Sequence, residues 1–168
     1  MNYKRIAIVG ISGSGKSTVS RVIAEKTKLP LFHMDQLFWK GNWEAIPEHE
    51  YVANHQELIK KDEWIIEGYI DGPMADRLKR ADLIIYLDYS GIRCFLYILR
   101  RWLLHRKESR PELHPEALER FSPRLLRVVI TRKEREHIEE ALEGIDQTDV
   151  VRLHTPRELK NLLNTYEG

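Results

Sequence analysis

The stretch from Gly10 to Ser17 constrains this chain more than any other. It reads Gly-Ile-Ser-Gly-Ser-Gly-Lys-Ser, which fits the phosphate-loop pattern G-x-x-x-x-G-K-[ST]. An apolar, β-branched run precedes it over residues 5–9, and apolar residues at helical spacing follow it over 19–23. A strand, a glycine loop and a helix in this order predict a loop whose backbone amides wrap around a polyphosphate.

The residue types of this loop suit a nucleoside triphosphate. Glycines let the backbone approach the phosphates closely, and the helix N-terminus adds a partial positive charge. Lys16 is expected to bridge the β- and γ-phosphates, Ser17 to bind Mg²⁺, and Thr18 to donate to the α-phosphate. The expected cofactors are therefore ATP or GTP, with Mg²⁺. The candidate nucleotide ligands are Gly10, Ser12, Gly13, Ser14, Gly15, Lys16, Ser17 and Thr18.

The length and composition are typical of a globular protein. The chain has 168 residues, of which 42% are hydrophobic and 32% charged, and we predict one domain over residues 1–168. No apolar run approaches the roughly 20 residues of a membrane span, and no signal peptide is recognised at the start. The one cysteine, Cys94, excludes an internal disulfide and a Cys-based zinc site. These features predict a cytoplasmic protein without a membrane partner, whose oligomeric state the sequence leaves open.

Apolar β runs alternate with helical patterns along the chain, which indicates an α/β fold with a parallel sheet. We predict a P-loop NTPase fold: a five-stranded parallel sheet flanked by helices on both faces, with a helical lid. One long helix is predicted from Pro123 to Gly144. The predicted strands are Lys4–Val9, Leu29–Asp35, Trp64–Gly68, Ala81–Asp88 and Asp149–Leu153.

Positive charge is concentrated in one part of the chain. The net charge is +1, yet residues 93–135 hold 12 Lys or Arg against 5 Asp or Glu, a net of +7. Such a block indicates an anionic ligand, although a solvated helical face is the plain alternative. Phosphoryl transfer needs mobile cations, because charge spreads over the phosphate oxygens in the transition state. We therefore predict that residues 106–122, which include Pro111 and Pro115, form a lid.

Other classes of P-loop protein carry motifs that this chain lacks. It has no Asn-Lys-x-Asp guanine motif and no Leu-Ser-Gly-Gly-Gln transporter signature, and it is short for a helicase. What remains is a compact fold with an arginine-rich helix and a basic, proline-bearing segment after the fourth predicted strand. Further stretches then carry a family resemblance: Gly10–Ser17; His33–Trp39 with Trp43; Trp64–Tyr69; Ala81–Asp88; and Arg93-Cys94 followed by Arg100, Arg101, Arg106 and Arg110-Pro111.

By these stretches the chain resembles the small adenylate-kinase-like P-loop proteins, most closely the bacterial topology modulation protein family. The resemblance covers about residues 4 to 111, with a weaker match beyond. It implies a five-stranded parallel core, binding of ATP or GTP, and a kinase-like architecture. The family name also implies an association with DNA topology, without establishing a reaction.

Three carboxylates are candidates for chemistry because each ends a predicted strand, where ligands bind in such sheets. Asp35 would accept the proton of the acceptor hydroxyl or hold a Mg²⁺-bound water. Glu67 would face the acceptor, and either Glu67 or Asp88 would orient the Mg²⁺ shell. A turn-capping role is the alternative for each of them.

The remaining candidates are cationic or aromatic. Arg101, Arg106 and Arg110 are predicted catalytic arginines, together with Lys16, and Arg93 is a predicted substrate ligand. Surface ion pairs are the alternative for each arginine. Trp39 would stack on the acceptor, and core packing is the more common use of such a residue.

Two functions follow from these residues. The leading hypothesis is a phosphotransferase that moves a phosphoryl group from ATP-Mg²⁺ to a small-molecule, nucleoside or nucleotide acceptor. The alternative is a nucleotide-binding regulatory protein, associated with DNA topology, that turns over little ATP.

Overall fold

The protein is described here from a computed structural model, over residues 3–40, 43–105, 123–146 and 149–164. Its five strands are β1 (Arg5–Gly10), β2 (Leu31–His33), β3 (Trp64–Glu67), β4 (Leu83–Leu87) and β5 (Val150–Leu153). All neighbouring pairs are parallel, in the spatial order β2-β3-β1-β4-β5. The predicted five-stranded parallel sheet is confirmed.

Helices flank the sheet. They are α1 (Lys16–Thr27), α2 (Met34–Phe38), α3 (Glu48–Ile59), α4 (Asp76–Arg80), α5 (Gly91–His105), α6 (Pro123–Thr131), α7 (Glu134–Leu142) and α8 (Pro156–Asn164), with a 3₁₀ turn at Gly72–Ala75 before α4. None of the helices within the described ranges is long and apolar enough to pass through a bilayer. The predicted lid, 106–122, lies outside the described residues.

The central strands are apolar and buried because both of their faces are covered. Every residue of β3 and β4 is buried, and so is every residue of β1 except Arg5. In the register of the sheet, Ile8 pairs with both Glu67 and Ile85. The carboxyl ends of β1, β3 and β4 therefore meet at one edge of the sheet, where the loops that follow them lie side by side.

Strand β2 is shorter than the sequence predicts. Its last residue, His33, pairs with Glu67, which is also the last residue of β3, so no partner strand extends beyond it. The backbone turns at once into α2, where the Trp39 amide donates to the Asp35 carbonyl at 3.0 Å. Asp35 therefore lies in the first turn of a short helix rather than at the end of a strand.

The predicted single helix from Pro123 to Gly144 is wrong, because the chain forms two helices. Arg132, between α6 and α7, has a positive φ of 55°, which ends helical geometry. The end of α6 also packs tightly on the start of α5. A Cβ atom at Gly91 would lie 2.6 Å from the carbonyl oxygen of Ile130, so only glycine permits this approach.

A buried arginine organises the segment after β3. Arg77 is fully buried and donates to the carbonyl oxygens of Gly68 (2.8 Å), Tyr69 (2.9 Å) and Met74 (3.3 Å). Burial lowers the pKa of Arg77 to about 10, so the guanidinium stays charged at neutral pH. The side chain holds this irregular backbone in one conformation, because its donors satisfy carbonyls that would otherwise be buried unpaired.

His55 of α3 lies in the same buried region and is kept neutral. Neither of its ring nitrogens has a hydrogen-bond partner among the described residues. Burial and the charge of Arg77 lower the pKa of His55 from 6.5 to about 4. The imidazole therefore packs as an apolar group at neutral pH.

This burial predicts a loss of stability in acid. Between pH 6.5 and about 4 the unfolded chain protonates His55 and the folded chain does not, so the free energy of unfolding falls as the pH falls. The test measures the free energy of unfolding in urea at pH 7 and at pH 5. Between these two pH values we expect it to fall by about 1–2 kcal/mol more for wild type than for His55→Leu. The control is His49→Gln, at an exposed histidine of the same helix, which should behave as wild type. Equal pH dependence in all three proteins would contradict the argument.

Candidate nucleotide-binding and acceptor site

The loop between β1 and α1 is curled and tightly packed. Gly13 and Gly15 adopt left-handed conformations, with φ of 79° and 91°. A Cβ atom at Gly13 would lie 2.6 Å from the carbonyl oxygen of Cys94 and 2.7 Å from the side chain of Ile98, so α5 packs directly on the loop. Gly15 is the N-cap of α1 and has no side chain to cap the positive end of the helix.

The predicted phosphate lysine is bound to its own loop. Lys16 Nζ donates to the carbonyl oxygens of Gly10 at 2.9 Å and Ile11 at 3.1 Å. Ser14 is buried behind the same turn, and its amide donates to the Ile11 carbonyl. Among the described residues, the hydrogen-bond partners of this ammonium group are thus carbonyl oxygens of the loop, which a phosphate could replace.

Glu67 lies beside this loop. It is 3% exposed, its carboxylate contacts His33 Nδ1 at 2.6 Å, and the Ser17 hydroxyl lies near it. Burial alone would raise the pKa of Glu67, but the His33 hydrogen bond, the Lys16 charge and the nearby Ser17 hydroxyl together lower it. An ionised carboxylate beside the Ser17 hydroxyl is a hard oxygen donor set, so these residues fit Mg²⁺.

A second carboxylate, which the sequence analysis did not identify, occupies the outer side of the loop. The Ser12 amide donates to Glu134 Oε2 at 2.5 Å, and the Ser12 hydroxyl donates to Oε1 at 2.8 Å. Glu134 is the first residue of α7 and lies between Arg132 and Arg135 in the sequence. Ser12 and Glu134 are 122 positions apart in the sequence, so no local sequence pattern predicts their contact.

Those two arginines are bound to a buried carboxylate at the end of β4. Arg132 donates to Asp88 Oδ1, and Arg135 Nε donates to the same atom at 3.2 Å. Arg152 and His154 lie 3.6 Å from the other oxygen. The Asp88 side chain is 4% exposed, so this cluster fastens the junction of α6 and α7 to the sheet beside the loop.

The other predicted site residues that the structure describes lie on α1, α2 and α5 and in the turn after α2. Asp35 is exposed at the start of α2. Trp39 is half-buried in edge-to-face contact with Phe38 and Trp43. Arg93 and Arg101 are half-buried on α5, the helix that packs on the loop, and the Arg93 guanidinium lies 6.0 Å from the Tyr89 ring centre. Thr18 lies in the first turn of α1, whereas Arg106 and Arg110 lie outside the described residues.

Two cavities open in the region that follows β3. One, of about 360 Å³, lies between α2, α3 and the 3₁₀ turn and is lined by Phe38, Tyr51 and Asp71 among others. The other, of about 370 Å³, also borders Asp71 and extends to α7 at His137. Both have the volume of a small-molecule site.

The Asp88 cluster predicts a large cost for removing its carboxylate charge. Asp88→Asn keeps the shape of the side chain but leaves two arginines paired to a neutral group. We expect the free energy of unfolding to fall by about 3 kcal/mol. Urea denaturation measures this loss, with the same change at an exposed position, Asp149→Asn, as the control. A loss no larger than that of the control would show that the cluster does not fasten the helices.

Solved structures of kinases share this fold. A shikimate kinase from Acinetobacter baumannii, in complex with shikimate, is 18% identical with a TM-score of 0.58, covering 96% of this chain and 89% of its own. A sugar kinase from Janibacter sp. HTCC2649 is 13% identical with a TM-score of 0.56, covering 99% and 95%. A gluconokinase from Sinorhizobium meliloti 1021 is 15% identical with a TM-score of 0.57, covering 97% and 89%.

These likenesses concern the fold. No protein-family model and no curated protein matches the chain, so the resemblance to the topology modulation family stays an inference from its motifs. At identities of 13–18% the structural matches establish the architecture alone. The chain has the fold of small P-loop kinases.

Proposed function

We propose that this protein transfers the γ-phosphoryl group of ATP, with Mg²⁺, to a hydroxyl group of a small molecule. The acceptor oxygen would form a bond to the γ-phosphorus while the bond from that phosphorus to the β,γ-bridging oxygen breaks. ADP leaves, and the hydroxyl proton passes to a carboxylate. Such a transfer needs a phosphate cradle, a hard-metal position and an acceptor base along one edge of the sheet.

The arrangement of three strand ends carries this proposal. Glu67 at the end of β3 contacts His33 at the end of β2 and lies near Ser17 of the loop that follows β1. Asp35 lies two residues beyond His33, at the start of α2. The phosphate loop, Glu67 and Asp35 thus lie at or just beyond the carboxyl ends of three neighbouring strands, an arrangement that supports phosphoryl transfer.

The proposed roles follow from these positions. The loop amides and Lys16 would hold the phosphates, and Ser17 would hold Mg²⁺ with Glu67 orienting its water ligands. When bound, Mg²⁺ would neutralise charge on the phosphate oxygens. Arg93 and Arg101, on the helix packed against the loop, would balance further charge, as would Arg106 and Arg110 from the proposed lid.

The proposal predicts a separation of binding from transfer at Asp35. Asp35→Asn keeps the size of the side chain but removes the proton acceptor. We expect ATP affinity to change less than twofold, whereas the rate of transfer falls about 10²–10⁴-fold. Calorimetry and an ADP-release assay measure the two quantities, with Asp62→Asn at an exposed turn as the control. Equal losses of binding and transfer would assign Asp35 a structural role.

The charges around the two cavities support an acceptor without negative charge. Glu48 and Asp71 line the cavity beside α3, and Asp71 and Glu140 line the other, while no lysine or arginine of the described residues lines either. Burial, followed by negative charges that include Asp35 and Asp71, raises the pKa of Tyr51 to about 12 against the opposing charge of Arg77. The carboxylates of Asp35 and Asp71 therefore both act on this wall of the cavity, against the charge of buried Arg77.

The walls of the cavity beside α3 indicate the shape of the acceptor. Phe38 and Tyr51 meet edge to face with ring centres 4.9 Å apart, next to Ile46 and Val52. Aromatic and aliphatic walls suit the face of a ring. We therefore propose an uncharged, ring-bearing alcohol of the nucleoside or sugar type, and not a carboxylate or a phosphate ester.

Matched pairs of acceptors test this choice. With Mg²⁺ and ATP, the pairs are uridine with uridine monophosphate, glucose with gluconate, and methyl shikimate with shikimate. We expect ADP release at least tenfold faster with the uncharged member of one pair, because carboxylates repel an anionic acceptor. Glu48→Gln with Asp71→Asn should narrow that ratio, whereas Glu57→Gln, at an exposed residue of α3, should not.

Two other outcomes would count against the proposal. Preference for the anionic members would overturn the acceptor class. Tight ATP binding without ADP release from any pair would instead favour a nucleotide-dependent regulatory protein.

A further inference from the structure

The contact between Glu134 and Ser12 occupies part of the proposed phosphate site. Both carboxylate oxygens accept hydrogen bonds from one residue of the loop, at 2.5 Å from its amide and 2.8 Å from its hydroxyl. A carboxylate that accepts two donors in this way has the charge and geometry of two phosphate oxygens. The side chain therefore occupies donors that a bound phosphate would use.

The position of Ser12 indicates which phosphate would meet Glu134. Loop amides at the start of α1 hold the inner phosphates of a nucleotide, and the lysine reaches the outer ones. Lys16 Nζ is now bound to the carbonyls of Gly10 and Ile11, the two residues immediately before Ser12. The terminal phosphate that Lys16 contacts would therefore lie closest to Ser12 and Glu134.

We infer that Glu134 is a specificity-determining residue. The terminal phosphate of ATP must displace the Glu134 carboxylate from Ser12, whereas ADP, which lacks that phosphate, can bind without displacing it. The inference rests on the proposed function and deepens it. The Glu134 carboxylate and the terminal phosphate are both negative and cannot accept from the same donors at once. Glu134 therefore weakens the binding of ATP more than the binding of ADP. The apparent affinity for ATP is reduced by the fraction of molecules in which the donors are vacant.

Neighbouring contacts hold Glu134 in this position. Arg135, the next residue, is bound to Asp88, and Arg132 is bound to the same carboxylate from the preceding turn. One turn later on α7, His137 Nδ1 lies 2.6 Å from the Tyr69 hydroxyl, in the segment that follows β3. Since α7 is fastened at both points, Glu134 meets Ser12 from a fixed backbone rather than from a freely moving loop.

The test compares two nucleotides on matched variants of the full chain. Glu134→Gln removes the charge and keeps the shape, and Glu136→Gln makes the same change at an exposed residue of α7. Calorimetry with Mg²⁺ measures the dissociation constants of a non-hydrolysable ATP analogue and of ADP. We expect Glu134→Gln to raise the affinity for the ATP analogue about tenfold and the affinity for ADP less than threefold. A tenfold gain corresponds to wild-type protein in which the Ser12 donors are free of Glu134 in about a tenth of the molecules. Glu136→Gln should change neither constant.

Two results would overturn the inference. One is an unchanged or weakened affinity of Glu134→Gln for the ATP analogue, and the other is an equal gain for both nucleotides. Glu134→Asp, whose shorter side chain keeps the charge but reaches less far, should shift the affinities in the same direction as Glu134→Gln and gives a second measurement.

Lys16→Ala separates this inference from the proposed function. If Lys16→Ala no longer binds the ATP analogue while Glu134→Gln binds it as wild type does, the phosphate site is supported and only the role assigned to Glu134 is wrong. If Lys16→Ala also binds as wild type, the phosphate site itself is wrongly assigned.

Discussion

The parallel pairing of β1 with β3 on one side and β4 on the other is the constraint on which the rest of the structure depends. Because both pairs are parallel, the chain leaves all three strands at the same edge, through the phosphate loop, Glu67 and Asp88. The apolar strand interiors fix the register, since a slip of one residue would reverse which faces the side chains cover. The polar residues at the strand ends are thereby held at one edge of the sheet, where Glu67 contacts His33 and Asp88 binds Arg132 and Arg135.

At this edge the groups proposed to bind phosphate are already hydrogen-bonded to the chain. Lys16 donates to loop carbonyls and Ser12 donates to Glu134. Leaving such partly buried donors unpaired would cost about 1–3 kcal/mol each, which explains why the chain supplies its own acceptors. Nucleotide binding then exchanges one set of hydrogen bonds for another, so the affinity is a difference between two sets of contacts. The residues that stabilise the unliganded loop consequently belong to the description of its specificity.

The local features of the sequence predicted the sheet and the loop well, because each is encoded within a few consecutive residues. The apolar runs give the strands, and the glycines with Lys16 and Ser17 give the phosphate loop. The break at Arg132 was missed, since helix periodicity continues through it and the pairing with Asp88 joins residues 44 apart in sequence. Glu134 was missed for the same reason: a glutamate in the first turn of a helix is ordinarily a favourable partner of the helix dipole and draws no attention. Only the tertiary structure brings it onto Ser12.

The first turns of α7 contact three segments around the proposed site. Glu134 reaches the phosphate loop, Arg135 reaches the end of β4, and His137 reaches the segment after β3 that borders both cavities. A helix transmits displacement because its backbone hydrogen bonds keep these side chains in fixed relation. Movement of Glu134 away from Ser12 can therefore occur by rotation of that side chain, which leaves the acceptor cavities unchanged, or by a shift of α7, which alters the His137 contact with Tyr69. The Asp88 cluster favours rotation of the Glu134 side chain, because a shift of α7 would also break the ion pair between Arg135 and buried Asp88.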